Sequence, residues 1–116
     1  VHEYGNTYDL PWGCDEHYLS AALAGAVSFV GSTYNHSARL YHRLQSAIDD
    51  VRIDDARQLS GNVQELIRML VTGGVIPTQK RLLDALGIPV GDVRSPLKFS
   101  GDEALVSRIL ATGWID

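Results

Sequence analysis

The sequence predicts an α/β fold in which a short parallel sheet at the front of the chain is followed by a series of helices. Two short runs of β-favouring residues, 9–13 and 26–30, flank one helical segment, and this order of strand, helix and strand is typical of a parallel unit. The rest of the chain shows helical apolar spacing. Because each parallel strand needs both faces covered, two strands alone form an incomplete sheet. We therefore expect the chain by itself to be unstable or aggregated unless another polypeptide supplies more strands.

The two predicted strands differ in quality. Residues 1–8 show no apolar period and are interpreted as a connecting segment, after which residues 9–13 form a brief apolar run that Pro11 restricts to a sheet edge. The second run, 26–30, is rich in Val and Phe and lies between two glycines, which predicts a buried strand.

The helix between these strands is expected to begin at Asp15 and Glu16, since acidic residues favour a helix N-terminus, and to end near Gly25. Its predicted apolar face consists of Leu19, Ala22 and Leu23. A second helix, with Asn35 or Ser37 as its cap, repeats apolar residues every three or four positions, at Leu40, Leu44, Ile48 and Val51.

Three further helices are predicted in the second half of the chain. The first runs from Asp54 to the glycines at 73–74, with one apolar face formed by Ala56, Leu59, Val63, Leu66, Ile67 and Leu70. The next begins near Pro77 and is closed by Gly87. Residues 88–101 carry two prolines and two glycines and are predicted to be an irregular loop before a last helix over 102–112.

Composition excludes several classes of protein. The chain has 116 residues, enough for one core, and a net charge of −4 with its ten Lys and Arg scattered among fourteen Asp and Glu, so we expect no nucleic-acid partner. Its apolar stretches are too short for a membrane span, and no signal pattern is present, so we expect no membrane contact. With a single cysteine, Cys14, this predicts a cytoplasmic protein.

Two polar clusters follow the predicted strands, at 13–16 and 31–35. The carboxyl ends of neighbouring parallel strands meet at one edge, so Asp15, Glu16 and Ser32 are expected to lie together and to bind vicinal hydroxyls. The alternative is that the two carboxylates only cap a helix and that Ser32 lies in a turn.

Cys14 and His17, with the nearby carboxylates and His36, could suggest a metal site, but a structural zinc usually requires paired, closely spaced ligands at both ends. We therefore predict no metal, and a small buried thiol at Cys14. The histidines His2, His36 and His42 are expected at the surface or at edges.

At these clusters the sequence resembles the N-acetylneuraminate lyases of the dihydrodipicolinate synthase superfamily. In that family the seventh barrel strand ends in Gly-x-Asp-Glu and the eighth in Gly-Ser-Thr-Tyr-Asn, matched here at 13–16 and 31–35 with the same separation. Residues 93–97 resemble the Arg-x-Pro-Leu ending of the superfamily. The resemblance implies the C-terminal part of a (β/α)8 TIM barrel, with its last two βα units in 1–50 and a C-terminal helical extension packed on the barrel in 51–116.

The resemblance also implies an activity, the reversible cleavage of N-acetylneuraminate to N-acetylmannosamine and pyruvate through a lysine Schiff base, with no cofactor. The matching positions that contact the hydroxylated tail of the sugar acid are Gly13, Asp15, Glu16 and Ser32. The family's lysine and tyrosine lie on the sixth and fifth strands, upstream of Val1, so no catalytic residue is assigned here. The partners implied are the sugar acid and pyruvate, and the full-length enzyme is expected to be a homotetramer.

Lys80 and Lys98 are the only lysines, and both are expected at the surface of the helical region, not as Schiff-base nucleophiles. Tyr34 is expected to pack near the strand end. The alternatives are a dihydrodipicolinate synthase, a 2-keto-3-deoxy sugar acid aldolase, or a non-catalytic remnant or interaction module, which the missing lysine favours. The stretch at 31–35 argues against the synthase, and the pair Asp15 and Glu16 argues for a polyol substrate.

Overall fold

The structure is a computed structural model that describes residue 4 and residues 7–116, and its regular elements in those ranges are helices. A 3-10 turn at Asp15–His17 leads into the first helix. The helices are α1 (Tyr18–Leu23), α2 (Tyr34–Asp49), α3 (Ile53–Gly73), α4 (Val75–Ala85) and α5 (Glu103–Leu110). His2 and part of the predicted connecting segment lie outside the described residues.

The two predicted strands meet in one parallel bridge between Trp12 and Phe29, and neither run forms a strand in the described part of the chain. The Trp12 N–H donates to the Ser28 carbonyl at 2.8 Å, and the Val30 N–H donates to the Trp12 carbonyl at 2.9 Å. The predicted burial of the second run is wrong, since Val27 is 92% exposed. Among the residues that the structure describes, no third strand pairs with these two short runs to extend the ladder.

The predicted inward face of α1 is confirmed only in part, because Leu19 packs against the core but Leu23 does not. Tyr18 and Ala21 are buried, whereas Leu23 is 63% exposed. The Tyr18 ring stacks on Phe29, which belongs to the bridge, with 4.0 Å between ring centroids. This contact places Tyr18 on the buried face of α1.

Helix α2 packs against α3 and carries buried Leu40 and Leu44, as predicted, but it ends before Val51, which is exposed. Thr33, not Asn35 or Ser37, holds the N-cap position. Ser37 instead marks a kink, with φ −141°.

The core is centred on α3, whose predicted apolar face is confirmed: five of its six residues are buried, and Ile67 packs at the margin. The helices α4 and α5 close the core with Leu82, Leu105, Val106 and Ile109. The predicted irregular loop between α4 and α5 is confirmed as well. Across the described ranges, no helix has both the length and the apolarity needed to cross a membrane.

Candidate functional site

The site is built where the parallel bridge brings two loops side by side. Asp15, in the 3-10 turn, is buried, and its Oδ2 accepts hydrogen bonds from the Thr33 N–H at 3.1 Å and from the Thr33 Oγ1 at 2.5 Å. Hydrogen bonds to an ionised carboxylate are stronger than neutral ones. This contact therefore joins the first loop, residues 13–16, to the second loop, residues 31–35.

A third group continues the network. The Thr33 Oγ1 lies 2.7 Å from the Tyr41 hydroxyl on α2, within a buried environment. Burial raises the pKa of Tyr41, an effect that the Thr33 hydrogen bond partly offsets. The phenol thus stays neutral and the network anchors both loops to the helical core.

The second loop approaches the first so closely that only glycine fits. A Cβ on Gly31 would lie 1.8 Å from the Asp15 Oδ1. This oxygen is buried and has no hydrogen-bond partner among the residues that the structure describes. One oxygen of the Asp15 carboxylate is therefore engaged by Thr33, and the other packs against Gly31 without a hydrogen-bond partner among the described residues.

All four residues predicted to form the site line one open pocket of about 360 Å³: Gly13, Asp15, Glu16 and Ser32. The alternative that the carboxylates only cap a helix is not what the structure shows for Asp15, since no side-chain hydrogen bond caps the turn or α1. Glu16 is half-buried on the same pocket wall. The juxtaposition expected from the sequence is thus present.

Sequence reasoning missed the opposite wall and one polar neighbour. The far wall is apolar and comes from α3 and α4, through Ile67, Leu70, Val71 and Val75. Ser32 accepts a hydrogen bond at 3.0 Å from Nε2 of Gln79 on α4. These residues follow the loops by more than thirty positions and lie in the predicted C-terminal helical extension, so no local sequence pattern marked them as site residues.

The cysteine and histidines hold no metal cluster: within the described ranges, no group of three His, Cys, Asp or Glu side chains is placed to bind an ion. The Cys14 Sγ lies 3.5 Å from the His17 Nδ1, and partial burial together with the Glu16 carboxylate raises the pKa of the thiol. An un-ionised thiol is a poor nucleophile. The expectation that His36 lies at the surface is wrong, since it is 1% exposed beneath the kink of α2, whereas His42 is exposed.

Lys80 has a structural role. Its Nζ donates to three backbone carbonyls, of Val90 at 3.0 Å, Gly91 at 3.3 Å and Asp92 at 3.2 Å, and so holds the loop after α4. Lys98 is exposed, as expected. Tyr34 packs edge-on against Tyr41, as predicted for a residue near the strand end.

The chain is similar in sequence to known proteins. The family model of the dihydrodipicolinate synthetase family matches residues 2–109. The N-acetylneuraminate lyase of Rhizobium meliloti (strain 1021) is 35% identical over 86 residues, which cover 74% of this chain and 29% of that protein. The 4-hydroxy-tetrahydrodipicolinate synthase 1 of Streptomyces coelicolor is 31% identical over 103 residues, which cover 87% of this chain and 34% of that protein.

Solved structures give the same result. The N-acetylneuraminate lyase of Aliivibrio salmonicida superimposes with a TM-score of 0.85 at 33% identity, over 94% of this chain and 37% of that one. That of Proteus mirabilis gives 0.82 at 33% identity, over 95% and 37%. These neighbours are TIM-barrel aldolases. The chain spans about a third of the length of the curated relatives it matches.

Proposed function

The chain belongs to the dihydrodipicolinate synthetase family, and from that premise we propose that it is the C-terminal part of a pyruvate-dependent, lyase-type aldolase with a TIM barrel. In this enzyme the present chain supplies one side of the substrate site. We call this side the wall; it consists of Gly13, Asp15, Glu16 and Ser32 and recognises the substrate tail. The lysine that forms the Schiff base comes from an upstream strand of the full-length enzyme. The substrate proposed is N-acetylneuraminate, cleaved to N-acetylmannosamine and pyruvate.

One observation carries this proposal: the polar residues Asp15, Glu16 and Ser32 line one open pocket. Carboxylate oxygens accept hydrogen bonds, and the hydroxyls of a polyol donate them.

The apolar wall suits the same ligand. The side chains of Ile67, Val71 and Val75 face the carboxylates across the pocket, and Val71 is 59% exposed. A polyol chain carries both hydroxyls and C–H groups, so the polar and the apolar residues of the pocket each have a counterpart. Small-molecule sites of this kind combine apolar contact area with few fixed polar groups.

A dihydrodipicolinate synthase is the second candidate, because one relative at 31% identity carries the name of that activity. The paired carboxylates Asp15 and Glu16 argue against it, since they offer only acceptors to a ligand. A 2-keto-3-deoxy sugar acid aldolase would use the same wall for another polyol tail. A non-catalytic remnant remains the alternative from a different class, and the homotetramer stays a prediction.

The first test uses the full-length polypeptide that carries this segment. We expect a lysine at the end of a barrel strand about 25–30 residues before Asp15, roughly one βα unit upstream. Borohydride with pyruvate should trap that lysine covalently. A full-length protein without it, or one that is not trapped, would contradict the aldolase proposal.

The second test separates tail recognition from chemistry at the keto carbon. Asp15→Asn and Glu16→Gln should each raise KM for the sugar acid by about tenfold or more while pyruvate trapping is retained, because the tail contacts lie away from the keto carbon. Asp54→Asn is the matched control, since the Asp54 side chain is fully exposed on α3. Loss of trapping in the Asp15 or Glu16 variant would show that its role is misassigned.

A further inference from the structure

Gln79 of α4 reaches the substrate wall from a distant part of the chain. It is 8% exposed, and its Nε2 donates a hydrogen bond of 3.0 Å to the Ser32 Oγ, across 47 positions of sequence. Its neighbour Thr78 is fully buried and donates to the Leu70 carbonyl at 3.3 Å. The start of α4 is thus fixed to α3, and Gln79 points at Ser32 from a rigid support.

The direction of this hydrogen bond decides what Ser32 offers to the pocket. An amide N–H is only a donor, so the Ser32 Oγ acts as the acceptor. The one proton of the hydroxyl then remains available to a third group. The Ser32 carbonyl is also held, because it accepts from the Asn35 Nδ2 at 2.9 Å, so the backbone that carries the hydroxyl is constrained as well.

We propose that Gln79 is a positioning and specificity-determining residue: it holds the Ser32 Oγ as an acceptor and so turns the Ser32 proton toward the ligand. This inference rests on the proposed function. The wall then presents one donor, Ser32, beside two acceptors, Asp15 and Glu16. A ligand hydroxyl can both donate to a carboxylate and accept from a serine, so adjacent hydroxyls fit the wall. A ligand carboxylate or ketone has no proton to donate to Asp15 and Glu16, so it does not fit.

The test variant reverses the hydrogen bond at nearly constant size. In the full-length enzyme, Gln79→Glu replaces the donor with an acceptor. The Ser32 hydroxyl then donates its hydrogen bond to the carboxylate at position 79 instead of to the ligand, and a negative charge is added next to the wall. We expect KM for the sugar acid to rise about tenfold, with kcat changed less than about twofold and pyruvate trapping intact. Gln64→Glu is the matched control, because Gln64 is exposed on α3 and makes the same change of charge.

A double-mutant cycle separates positioning from simple structural support. If Gln79 acts through Ser32, Gln79→Met should raise KM in the wild type but have little further effect in a Ser32→Ala background. Additive effects in this cycle, or an unchanged KM for Gln79→Glu in an active enzyme, would overturn this inference alone. A full-length protein that cleaves no sugar acid would overturn it together with the proposed function.

Discussion

The Asp15 carboxylate lies directly over the Cα of Gly31, so close that a Cβ on Gly31 would stand 1.8 Å from the Asp15 Oδ1. The contact joins the ends of the two runs that the bridge between Trp12 and Phe29 holds in parallel. It explains why the wall needs a glycine at this position for reasons of space, since no left-handed backbone is involved.

Gly31→Ala should therefore destabilise the chain. The added methyl group forces the Asp15 carboxylate away from Thr33, and overpacking of this kind costs about 1–3 kcal/mol. Urea unfolding of the dilute chain, followed by circular dichroism, measures the change. Gly61→Ala is the control: Gly61 lies within α3 with open space around its Cα, so this variant should be more stable by about 0.5–1 kcal/mol. A neutral Gly31→Ala would contradict the geometry of the contact.

Thr33→Val should lose the hydroxyl that joins Asp15 to Tyr41. Asp15 and Tyr41 would each stay buried and lose their hydrogen bond to this hydroxyl, which should lower the free energy of unfolding by about 1–3 kcal/mol. Thr33→Ser restores the hydroxyl and should recover most of the loss. The exposed Thr72, whose hydroxyl bonds only to the Arg68 carbonyl, gives the control Thr72→Val, expected within about 0.5 kcal/mol of the wild type. Equal losses in both Val variants would argue against a special role for Thr33.

Long helices were predictable because their signal is local. The apolar face of α3 repeats from Ala56 to Leu70, about four helical turns, and a pattern of that length outweighs any single exception. The run at 26–30 has the composition of a buried strand, but its burial depends on groups outside the run, and Val27 is exposed here.

The site was predictable only in part, for a similar reason. Parallel strand order places Asp15, Glu16 and Ser32 together, and the pocket confirms this. The inward turn of the Asp15 carboxylate and the reach of Gln79 depend on three-dimensional contacts that span 18 and 47 positions. His36 was misplaced because a histidine on a helix carries no pattern that indicates burial.

The burial of His36 predicts a pH dependence. Burial lowers the pKa of His36, against the opposing effect of the Asp116 and Asp15 charges. Because the folded form binds the proton less readily than the unfolded chain, stability should be full above the ordinary pKa of about 6.5 and should fall as the pH drops below it, by at most about 1.4 kcal/mol per pH unit. Urea midpoints between neutral and mildly acidic pH test this. His36→Gln should flatten the decline, whereas His42→Gln, at an exposed position, should leave it unchanged. A decline that persists in His36→Gln would assign it to another group.

Lys80→Met should loosen the loop after α4 without affecting Schiff-base formation. The ammonium holds the carbonyls of Val90, Gly91 and Asp92, and its loss should cost about 1–2 kcal/mol locally. Hydrogen exchange and limited proteolysis should both become faster within 88–101, and Lys98→Met, at an exposed lysine, should leave both rates unchanged. In the full-length enzyme, pyruvate trapping should persist in Lys80→Met. A loss of trapping with the loop still protected would identify Lys80 as a nucleophile after all.

The exposed apolar residues of the second run should make the chain self-associate. Val27 is 92% and Val30 is 59% exposed, next to a bridge whose outer edges have no paired strand in the described residues. Exposed apolar edges of this kind associate with one another. Sedimentation velocity should show oligomers that grow with concentration, and Val27→Lys should reduce them because a charge at an edge opposes pairing. Val51→Lys is the control, since Val51 is 74% exposed but lies after α2, away from the bridge. A wild-type chain that stays monomeric at every concentration, or an equal effect of both lysine variants, would show that the chain does not self-associate through the bridge region.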